Sequence, residues 1–152
     1  MNPNTPVITS GARTPIGSLT GALASVSAPL LGAHVIKENL TRSKVQPGEV
    51  DEVIMGMVLQ GGAGQAPARQ AAIFAGIPAT VSAWTVNKVC SSGLRAVMSA
   101  AQAIQLGEYK AMIAGGMENM SQAPYYLEGA REGYRLGNST VVDGMIKDGL
   151  WD

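Results

Sequence analysis

The pattern of hydrophobic and polar positions divides residues 1–121 into short strand-like runs separated by helix-like stretches. Apolar runs bounded by turn residues predict strands at 7–11, 50–59, 81–89 and 111–115. Apolar residues at helical spacing predict helices at 27–40, 65–75 and 91–106. Because strands alternate with helices, the pattern predicts an α/β layered fold, with a mostly parallel sheet and helices on both faces.

Two predicted helices carry a defined apolar stripe. In the first, Ser27 is the predicted N-cap and Pro29 lies in the first turn. Its stripe comprises Leu30, Ala33, Ile36 and Leu40. The stripe of the third helix comprises Leu94, Val97, Met98, Ala101 and Ile104. Small residues on its other sides predict that this helix is enclosed between two layers, and Gly107 fits its C-terminal stop.

From residue 122 onward the periodicity fades, and tyrosines, glycines and charges follow no steady period. A structureless stretch of this length is unusual in a compact domain. The sequence therefore predicts an α/β unit over 1–121, followed by the start of a loop region over 122–152. Since the chain stops just after the apolar pair Leu150 and Trp151, we expect further sequence to follow.

Composition narrows the class of protein. Hydrophobic residues make up 46% of the 152 residues and charged residues 14%, enough for a sizeable core. The formal net charge is zero and no basic stripe occurs, which argues against nucleic-acid binding. No apolar run is long enough to cross a bilayer, and the first residues lack the blocks of a secretory signal. We therefore expect a cytoplasmic protein, with a mitochondrial or peroxisomal location also compatible.

Cys90 is the only cysteine, so it forms neither an internal disulfide nor a structural zinc site by itself. One interpretation is a small buried hydrophobe. The other follows from its place between a predicted strand and a predicted helix, in VNKVCSSGLRAV. A helix N-terminus offers unpaired N–H groups and a partial positive charge, which stabilise a thiolate. Gly93, one turn further, leaves room for a close approach.

A cysteine nucleophile suits one reaction class in particular. When a thiolate attacks a thioester, the bond formed and the bond broken are nearly equal in energy, and the acyl group stays activated. A serine would hold the acyl group as a more stable ester. Cys90 therefore fits acyl transfer from coenzyme A better than it fits hydrolysis.

Five segments resemble thiolases, in the same order and over nearly the whole chain. The segment around Cys90, NKVCSSGLRAV, is similar to the family's nucleophile segment. The others are ARTPIGSLTGALASVSAPLLGAHVI, VDEVIMGMVLQGGAGQAPARQAAIFAGIP, GGMENMSQAPYYL and VDGMIKDGLWD. Ser91 stands where many family members have glycine or alanine, so a small residue is kept.

The resemblance implies the first half of a two-half layered architecture and a Claisen condensation of two acetyl-CoA to acetoacetyl-CoA, or the reverse thiolysis. Cys90 would carry the acyl group as a thioester, and its backbone N–H would help to hold the thioester oxygen. Leu150 would lie beside the pantetheine arm. No cofactor is implied beyond the coenzyme A thioesters that serve as substrates. The full-length form would be a homo-oligomer, a dimer or tetramer, without nucleic-acid or membrane partners.

Further residues that the family needs have no counterpart here. The chain lacks a Gly-His-Pro motif, a second cysteine in a Gly-rich motif and an Asn-Glu-Ala-Phe segment. The only histidine, His34, falls in the first predicted helix and matches none of them. We therefore expect no useful turnover of acetyl-CoA by the chain alone. A fragment of a longer enzyme, a short chain that needs a partner, an inactive remnant and a non-catalytic module for dimerisation or assembly all stay open.

Other features receive milder interpretations. The loop GGAGQAPARQ lacks the GK[ST] ending of a P-loop, and the resemblance places it near the subunit contact and active site. Met55, Met57, Met117 and Met120 are expected to serve packing or a flexible acyl-binding wall rather than a metal. Tyr125, Tyr126, Tyr134 and Arg135 fall in a tetramer-forming loop of the family, or in a solvated loop. A ketoacyl synthase relative and a redox sensor are weaker alternatives.

Overall fold

A computed structural model describes residues 4–152. Its sheet has three parallel strands in the order β2-β1-β3. These strands are β1 (Glu52–Gly56), β2 (Ser82–Val86) and β3 (Met112–Gly116). The helices are α1 (Ala28–Ser43), α2 (Pro67–Phe74) and α3 (Ser92–Leu106). In the described part of the chain, no helix is long and apolar enough to cross a membrane.

The central strand β1 buries both of its faces. Val53 and Met55 pack with residues of α1 and α2, among them Ile36 and Ala71. Ile54, on the opposite face, packs with small residues of α3. Helices therefore cover both faces of a parallel sheet, and the predicted α/β class is confirmed.

The remaining elements are short. They are the 3₁₀ turns Pro47–Glu49 and Met120–Gln122, the antiparallel pair β4 (Tyr125–Tyr126) and β5 (Val142–Asp143), and a π-helical turn, Ile146–Leu150. Between β4 and β5, residues 127–141 form turns and bends without a regular element.

The first helix confirms the predicted start and corrects the predicted stripe. Pro29 lies in the first turn of the helix. Ser27, the residue just before the helix, has an extended backbone, and its side chain makes no capping hydrogen bond. The buried positions are Ala28, Pro29, Gly32, Ala33 and Ile36. Leu30, predicted to face the core, is 48% exposed. A Cβ on Gly32 would lie 2.7 Å from the sulfur of Met117, so α1 approaches the core through its smallest residues.

The predicted stripe of α3 is wrong in the same sense. Ser92, Ala96 and Ala100 are the buried residues, whereas Leu94 is 65% and Met98 47% exposed. The sheet selects the alanine face because only small side chains permit the close contact with β1 and β3. The face opposite the alanines is open in the described chain, so the enclosure of this helix between two layers stays a prediction. Gly107 does end the helix, in a left-handed conformation.

The strand predicted at 7–11 is absent from the described structure. Val7 is 75% and Ile8 85% exposed, because no strand of the sheet lies beside them to accept ladder hydrogen bonds. Side chains tie the segment to α1 instead. The Ser10 hydroxyl donates to Asn39, and the Arg42 guanidinium donates to the carbonyl of Gly11 at 2.8 Å.

Candidate active site

Cys90 lies in the turn between β2 and α3, two residues before the helix begins at Ser92. Its thiol is exposed and unpaired. The strand–turn–helix placement predicted from the sequence is therefore present. The first N–H groups of a helix have no intrahelical acceptor and carry partial positive charge. A thiolate, or the oxygen of an attacked thioester, is stabilised at such a position.

The turn before Cys90 has an uncommon backbone. Val89 has φ of +47°, in the left-handed region that β-branched residues rarely adopt. Its N–H donates to Oδ1 of Asn87 at 2.9 Å, and its carbonyl accepts from the hydroxyl of Ser92 at 2.6 Å. The same hydroxyl accepts from the N–H of Lys88 at 2.9 Å. Two side chains therefore hold the turn that presents Cys90.

Glycines allow the start of α3 to touch the ends of two strands. A Cβ on Gly56, the last residue of β1, would lie 2.4 Å from the backbone carbon of Ser92. A Cβ on Gly116, the last residue of β3, would lie 3.3 Å from the Cα of Gly93. The start of α3, which follows the Cys90 turn, is thus set directly against the carboxyl ends of β1 and β3, where open α/β sheets place their ligand sites.

An open depression of about 340 Å³ lies at this junction. Its lining residues are Gly56, Met57, Val58, Val89, Cys90, Ser92, Gly93, Gly116, Met117 and Glu118. They come from the ends of β1 and β3 and from the start of α3. Among these lining residues, Glu118 has the one carboxylate side chain. The depression therefore combines one exposed thiol and one carboxylate with a lining of backbone groups and apolar side chains.

Glu118 holds the chain after β1, which lines the depression together with the Cys90 turn. Its Oε2 accepts from the N–H of Val58 at 2.8 Å, and its Oε1 accepts from the N–H of Leu59 at 3.1 Å. Asn87 reaches the same residue from the other side, since its Nδ2 donates to the carbonyl of Val58 at 3.4 Å. Both polar backbone groups of Val58 are therefore bonded to side chains, one from each neighbouring segment.

The segment after β3 is anchored to the loop before α1. The Asn119 amide donates to the carbonyls of Leu23, Ala24 and Val26, at distances from 2.7 to 3.3 Å. Gln122 adds a bond to Ala24 at 2.9 Å. These contacts fix the direction of the chain just after Glu118.

Tyr126, in β4, is bonded to the π-helical turn Ile146–Leu150. Its hydroxyl donates to a carboxylate oxygen of Asp148, and that hydrogen bond raises the pKa of the Tyr126 phenol. The next residue, Gly149, packs so closely that a Cβ there would lie 2.9 Å from the Leu59 side chain. Leu150 itself is 62% exposed and does not line the depression. Its contact with a pantetheine arm stays a prediction.

Other residues singled out in the sequence lie away from the thiol or in the core. His34 is exposed on α1. Met55, Met57 and Met117 are buried core residues, whereas Met120 is 39% exposed. Over residues 4–152, no group of three or more His, Cys, Asp and Glu side chains is placed to hold a metal ion.

The Gly-rich loop lines a second, smaller cavity of about 100 Å³ with the start of α1 and Asn119. Gly61 contacts Tyr126, since a Cβ there would lie 2.3 Å from the phenol oxygen. In this position the loop supports the segment after β3.

Three functional candidates escaped the sequence-based interpretation: Asn87, Ser92 and Glu118. The spacing Asn-x-x-Cys-x-Ser carries a signal in retrospect, because asparagine and serine bond to nearby backbone in turns. Glu118 gives no such local signal. Its partners, Val58 and Leu59, lie 60 and 59 residues away in sequence.

The chain matches a known protein family over almost all of its length. Residues 6–152 match the family model described as thiolase, N-terminal domain. The matched range includes the Cys90 turn, the depression and the segment through Leu150.

Curated relatives agree with that match. The chain is 59% identical to an acetyl-CoA acetyltransferase of Cupriavidus necator over 146 residues, which are 96% of this chain and 37% of the relative. It is 55% identical to an acetyl-CoA acetyltransferase of Pseudomonas aeruginosa, over 96% of this chain and 37% of the relative. It is 54% identical to acetyl-CoA acetyltransferase 2 of Arabidopsis thaliana, over 100% of this chain and 38% of the relative. The chain thus spans less than two fifths of the length of these relatives.

Proposed function

Because the chain belongs to the thiolase family, we propose that it supplies the nucleophile half of an acyl-CoA acyltransferase. Cys90 is the nucleophile in this proposal, and acetyl-CoA is the acyl donor. The relatives are named acetyl-CoA acetyltransferases, which supports this choice of substrate. The observation that carries the proposal is the exposed Cys90 thiol at the start of α3, on the edge of an open depression.

The first half-reaction follows from this placement. The Cys90 sulfur, as a thiolate, forms a bond to the acetyl carbonyl carbon, and the bond from that carbon to the sulfur of coenzyme A breaks. Coenzyme A leaves as a thiolate and takes up a proton, so the proton lost by Cys90 is balanced. During the attack, negative charge develops on the carbonyl oxygen. In this proposal, the backbone N–H of Cys90 and the partial positive charge at the start of α3 stabilise that charge.

In the second half-reaction, a second acetyl-CoA loses a proton next to its carbonyl, and the resulting carbanion attacks the acetyl group on Cys90. The carbon–carbon bond forms, the thioester to Cys90 breaks, and acetoacetyl-CoA is released. Thiolysis is the same sequence in reverse. We propose that groups outside these 152 residues supply the acid and base of this step, since the chain has neither of the family motifs for them.

The organisation of the chain is part of the proposal. Residues 1–121 form the N-terminal α/β half, and residues 122–152 begin the loop region. The long elements end with β3, and only short ones follow, which supports a boundary there. Leu150 contacts the pantetheine arm in the complete enzyme, which forms a homo-oligomer, a dimer or tetramer. A cytoplasmic location stays a prediction, and one relative from Aspergillus fumigatus is named as mitochondrial.

A second candidate is an assembly module without catalysis. The open apolar face of α3, with Leu94 and Met98, favours it. The two candidates differ in what they require of Cys90. An acyltransferase needs a thiol that accepts an acetyl group, whereas an assembly module leaves the thiol inert.

Intact mass of the purified chain after incubation with acetyl-CoA tests the proposal. We expect a gain of one acetyl group, which Cys90→Ala abolishes. Far-UV circular dichroism of both proteins confirms that the variant is folded. The incubation is repeated with the remaining part of the Cupriavidus necator relative, produced as a separate chain.

Each outcome of that test has a meaning. A Cys90-dependent gain by the chain alone supports the proposed nucleophile. A gain only with the added part supports Cys90 and assigns activation of the thiol to the missing half. No gain by a folded chain, with and without the added part, overturns the proposal and favours the assembly module.

A further inference from the structure

We propose that Asn87 and Ser92 are positioning residues that hold the left-handed turn at Val89 and thereby present the Cys90 thiol. The link to acyl transfer rests on the proposed function of Cys90. The claim about the turn does not, and it can be tested by itself.

Val89 needs external support to keep its conformation. Its φ of +47° brings the Cβ of an L-residue close to the following carbonyl oxygen, and a β-branched side chain adds to the crowding. Packing does not compensate, because Val89 is 56% exposed. The conformation persists only where surrounding contacts determine it.

Hydrogen bonds from two side chains meet this need. Asn87 accepts the Val89 N–H at 2.9 Å through Oδ1. Ser92 donates to the Val89 carbonyl at 2.6 Å and accepts the Lys88 N–H at 2.9 Å. Both backbone polar groups of Val89, its N–H and its carbonyl, are thus bonded to side chains.

Both side chains are themselves anchored. Ser92 is 4% exposed and sits against the backbone of Gly56, at the end of β1. Asn87 reaches the carbonyl of Val58 through Nδ2 at 3.4 Å. The turn is therefore set relative to the strand end and the wall of the depression, rather than only to its own helix.

The consequence for Cys90 follows from chain geometry. If Val89 relaxes to negative φ, the next peptide unit rotates and the Cys90 side chain leaves its place on the edge of the depression. Nucleophilic attack needs the reacting atoms in near-contact geometry, and small misplacements reduce its rate strongly. Asn87 and Ser92 touch no reacting atom in this scheme, and their effect passes through the backbone.

A double-mutant cycle tests the inference. The variants are Asn87→Ala, Val89→Gly and the combination, because glycine adopts positive φ without strain. Asn39→Ala serves as the matched control, since its amide also bonds to backbone, at Val35, but on α1. Hydrogen exchange of the peptide covering residues 86–94 reports the turn, and the rate of Cys90 acetylation by acetyl-CoA reports the reaction.

Asn87→Ala is expected to raise amide exchange at Lys88 to Ser92 about tenfold and to slow saturated acetylation about tenfold. The acetyl-CoA concentration for half-maximal rate should change less than about threefold, since the reaction geometry rather than binding is affected. In the Val89→Gly background, the same substitution should change both rates less than about threefold. Asn39→Ala should leave exchange of the peptide unchanged.

Ser92→Ala should act like Asn87→Ala and be relieved in the same way by Val89→Gly. If the buried Ser92→Ala variant does not fold, the Asn87 cycle decides alone. Unchanged exchange in Asn87→Ala, or an equal effect of that substitution in both backgrounds, overturns the inference. Hydrogen exchange that responds as expected, in a chain that acetyl-CoA does not acetylate with or without the added part of the relative, upholds the turn and overturns the proposed function instead.

Discussion

Glu118 bonds the chain after β3 to the chain after β1, at the depression that Cys90 also lines. One carboxylate oxygen is bonded to each of two successive N–H groups, at Val58 and Leu59. Two neighbouring N–H groups that point the same way call for an acceptor with two oxygens. A carboxylate provides both, and its charge strengthens each hydrogen bond.

Glu118→Gln tests this function. One of the two N–H groups would then face an NH₂ group, so we expect the free energy of unfolding to fall by about 1–2 kcal/mol. Acetylation of Cys90 should also slow, because Val58, which lines the depression, is then held less firmly. Chemical denaturation and intact-mass kinetics measure the two effects. Glu132→Gln, in the exposed 127–141 stretch, is the control, and an equal loss there would contradict the account.

The sequence alone indicated Cys90 as the candidate nucleophile but did not indicate the residues around it, such as Ser92 and Glu118, and the reason is physical. A strand–helix junction can be located from hydrophobic periodicity, and a lone cysteine at such a junction stands out. The function of Glu118 depends on β3 ending beside β1, which is a tertiary fact. Ser92 was read only as part of a helix start, although it is the buried polar residue of the described core.

The start of β1 is fastened to the start of β3 by Asp51. Its Oδ2 accepts from the N–H groups of Lys110 at 2.7 Å and Ala111 at 2.9 Å, and its own N–H donates to Ala111. These bonds to Ala111 and Lys110 hold the pKa of the Asp51 carboxyl below its usual value. The loop from α3 into β3 is thereby set in register with β1.

Asp51→Asn should make the free energy of unfolding depend less on pH in the acidic range. Because the Asp51 pKa is lowered by folding, its contribution is present above the unfolded value of 3.8 and is lost as the pH falls through the folded value. We expect the wild-type chain to be more stable at pH 7, and the difference to shrink below about pH 4. Thermal unfolding of both proteins from pH 7 to pH 3 measures it. A difference in stability that is constant over this pH range would contradict the contribution of the Asp51 hydrogen bonds to Lys110 and Ala111.

The contact of α3 with the strand ends makes a separate prediction. Gly56→Ala would place a Cβ 2.4 Å from the backbone carbon of Ser92, and backbone has no soft end that can move away. We expect a loss of several kcal/mol of stability, about 2–4, and faster exchange in the Cys90 turn. Gly48→Ala, where nothing lies within 4 Å, is the control and should unfold within about 2 °C of wild type.

The helices were located from the sequence, but their buried faces were not. In α1 and α3 apolar residues recur at helical spacing, yet apart from Pro29 and Ile36 the residues that pack are small ones: glycine, alanine and serine. Periodicity shows that a face is apolar without showing how near the neighbour comes. Where the sheet approaches closely, small side chains occupy the contact and large ones, such as Leu94, lie outside it.

The described chain is apolar on one outer side. The open face of α3 includes Leu94, 65% exposed, and Met98, 47% exposed. Exposed apolar patches favour association. Leu94→Gln with Met98→Gln should therefore reduce self-association in sedimentation experiments and leave the thermal midpoint within about 3 °C. Ala96→Gln, on the fully buried face, should instead unfold the chain, and the reverse pattern would contradict the orientation of α3.

The fold class could be predicted for the molecule as a whole, but the membership of its sheet could not. Alternating strand and helix patterns are enough for an α/β fold with parallel strands. Residues 7–11 have a strand pattern, yet a strand exists only with a partner, and the described sheet offers none there. A local pattern therefore predicts the capacity to form a strand and leaves pairing to the rest of the protein.

The central claim is that Cys90 passes an acetyl group to and from coenzyme A. Isotope exchange tests it most directly: the purified chain is incubated with unlabelled acetyl-CoA and labelled coenzyme A, without any other acyl acceptor. An acyl-cysteine intermediate returns its acetyl group to the labelled coenzyme A, as ping-pong chemistry requires. We predict that label enters acetyl-CoA with the wild-type chain once the remaining part of the Cupriavidus necator relative is added, and not with Cys90→Ala under the same conditions. Exchange at the same rate in both proteins, or none with a folded wild-type chain even when the remaining part of the Cupriavidus necator relative is added, would contradict the account.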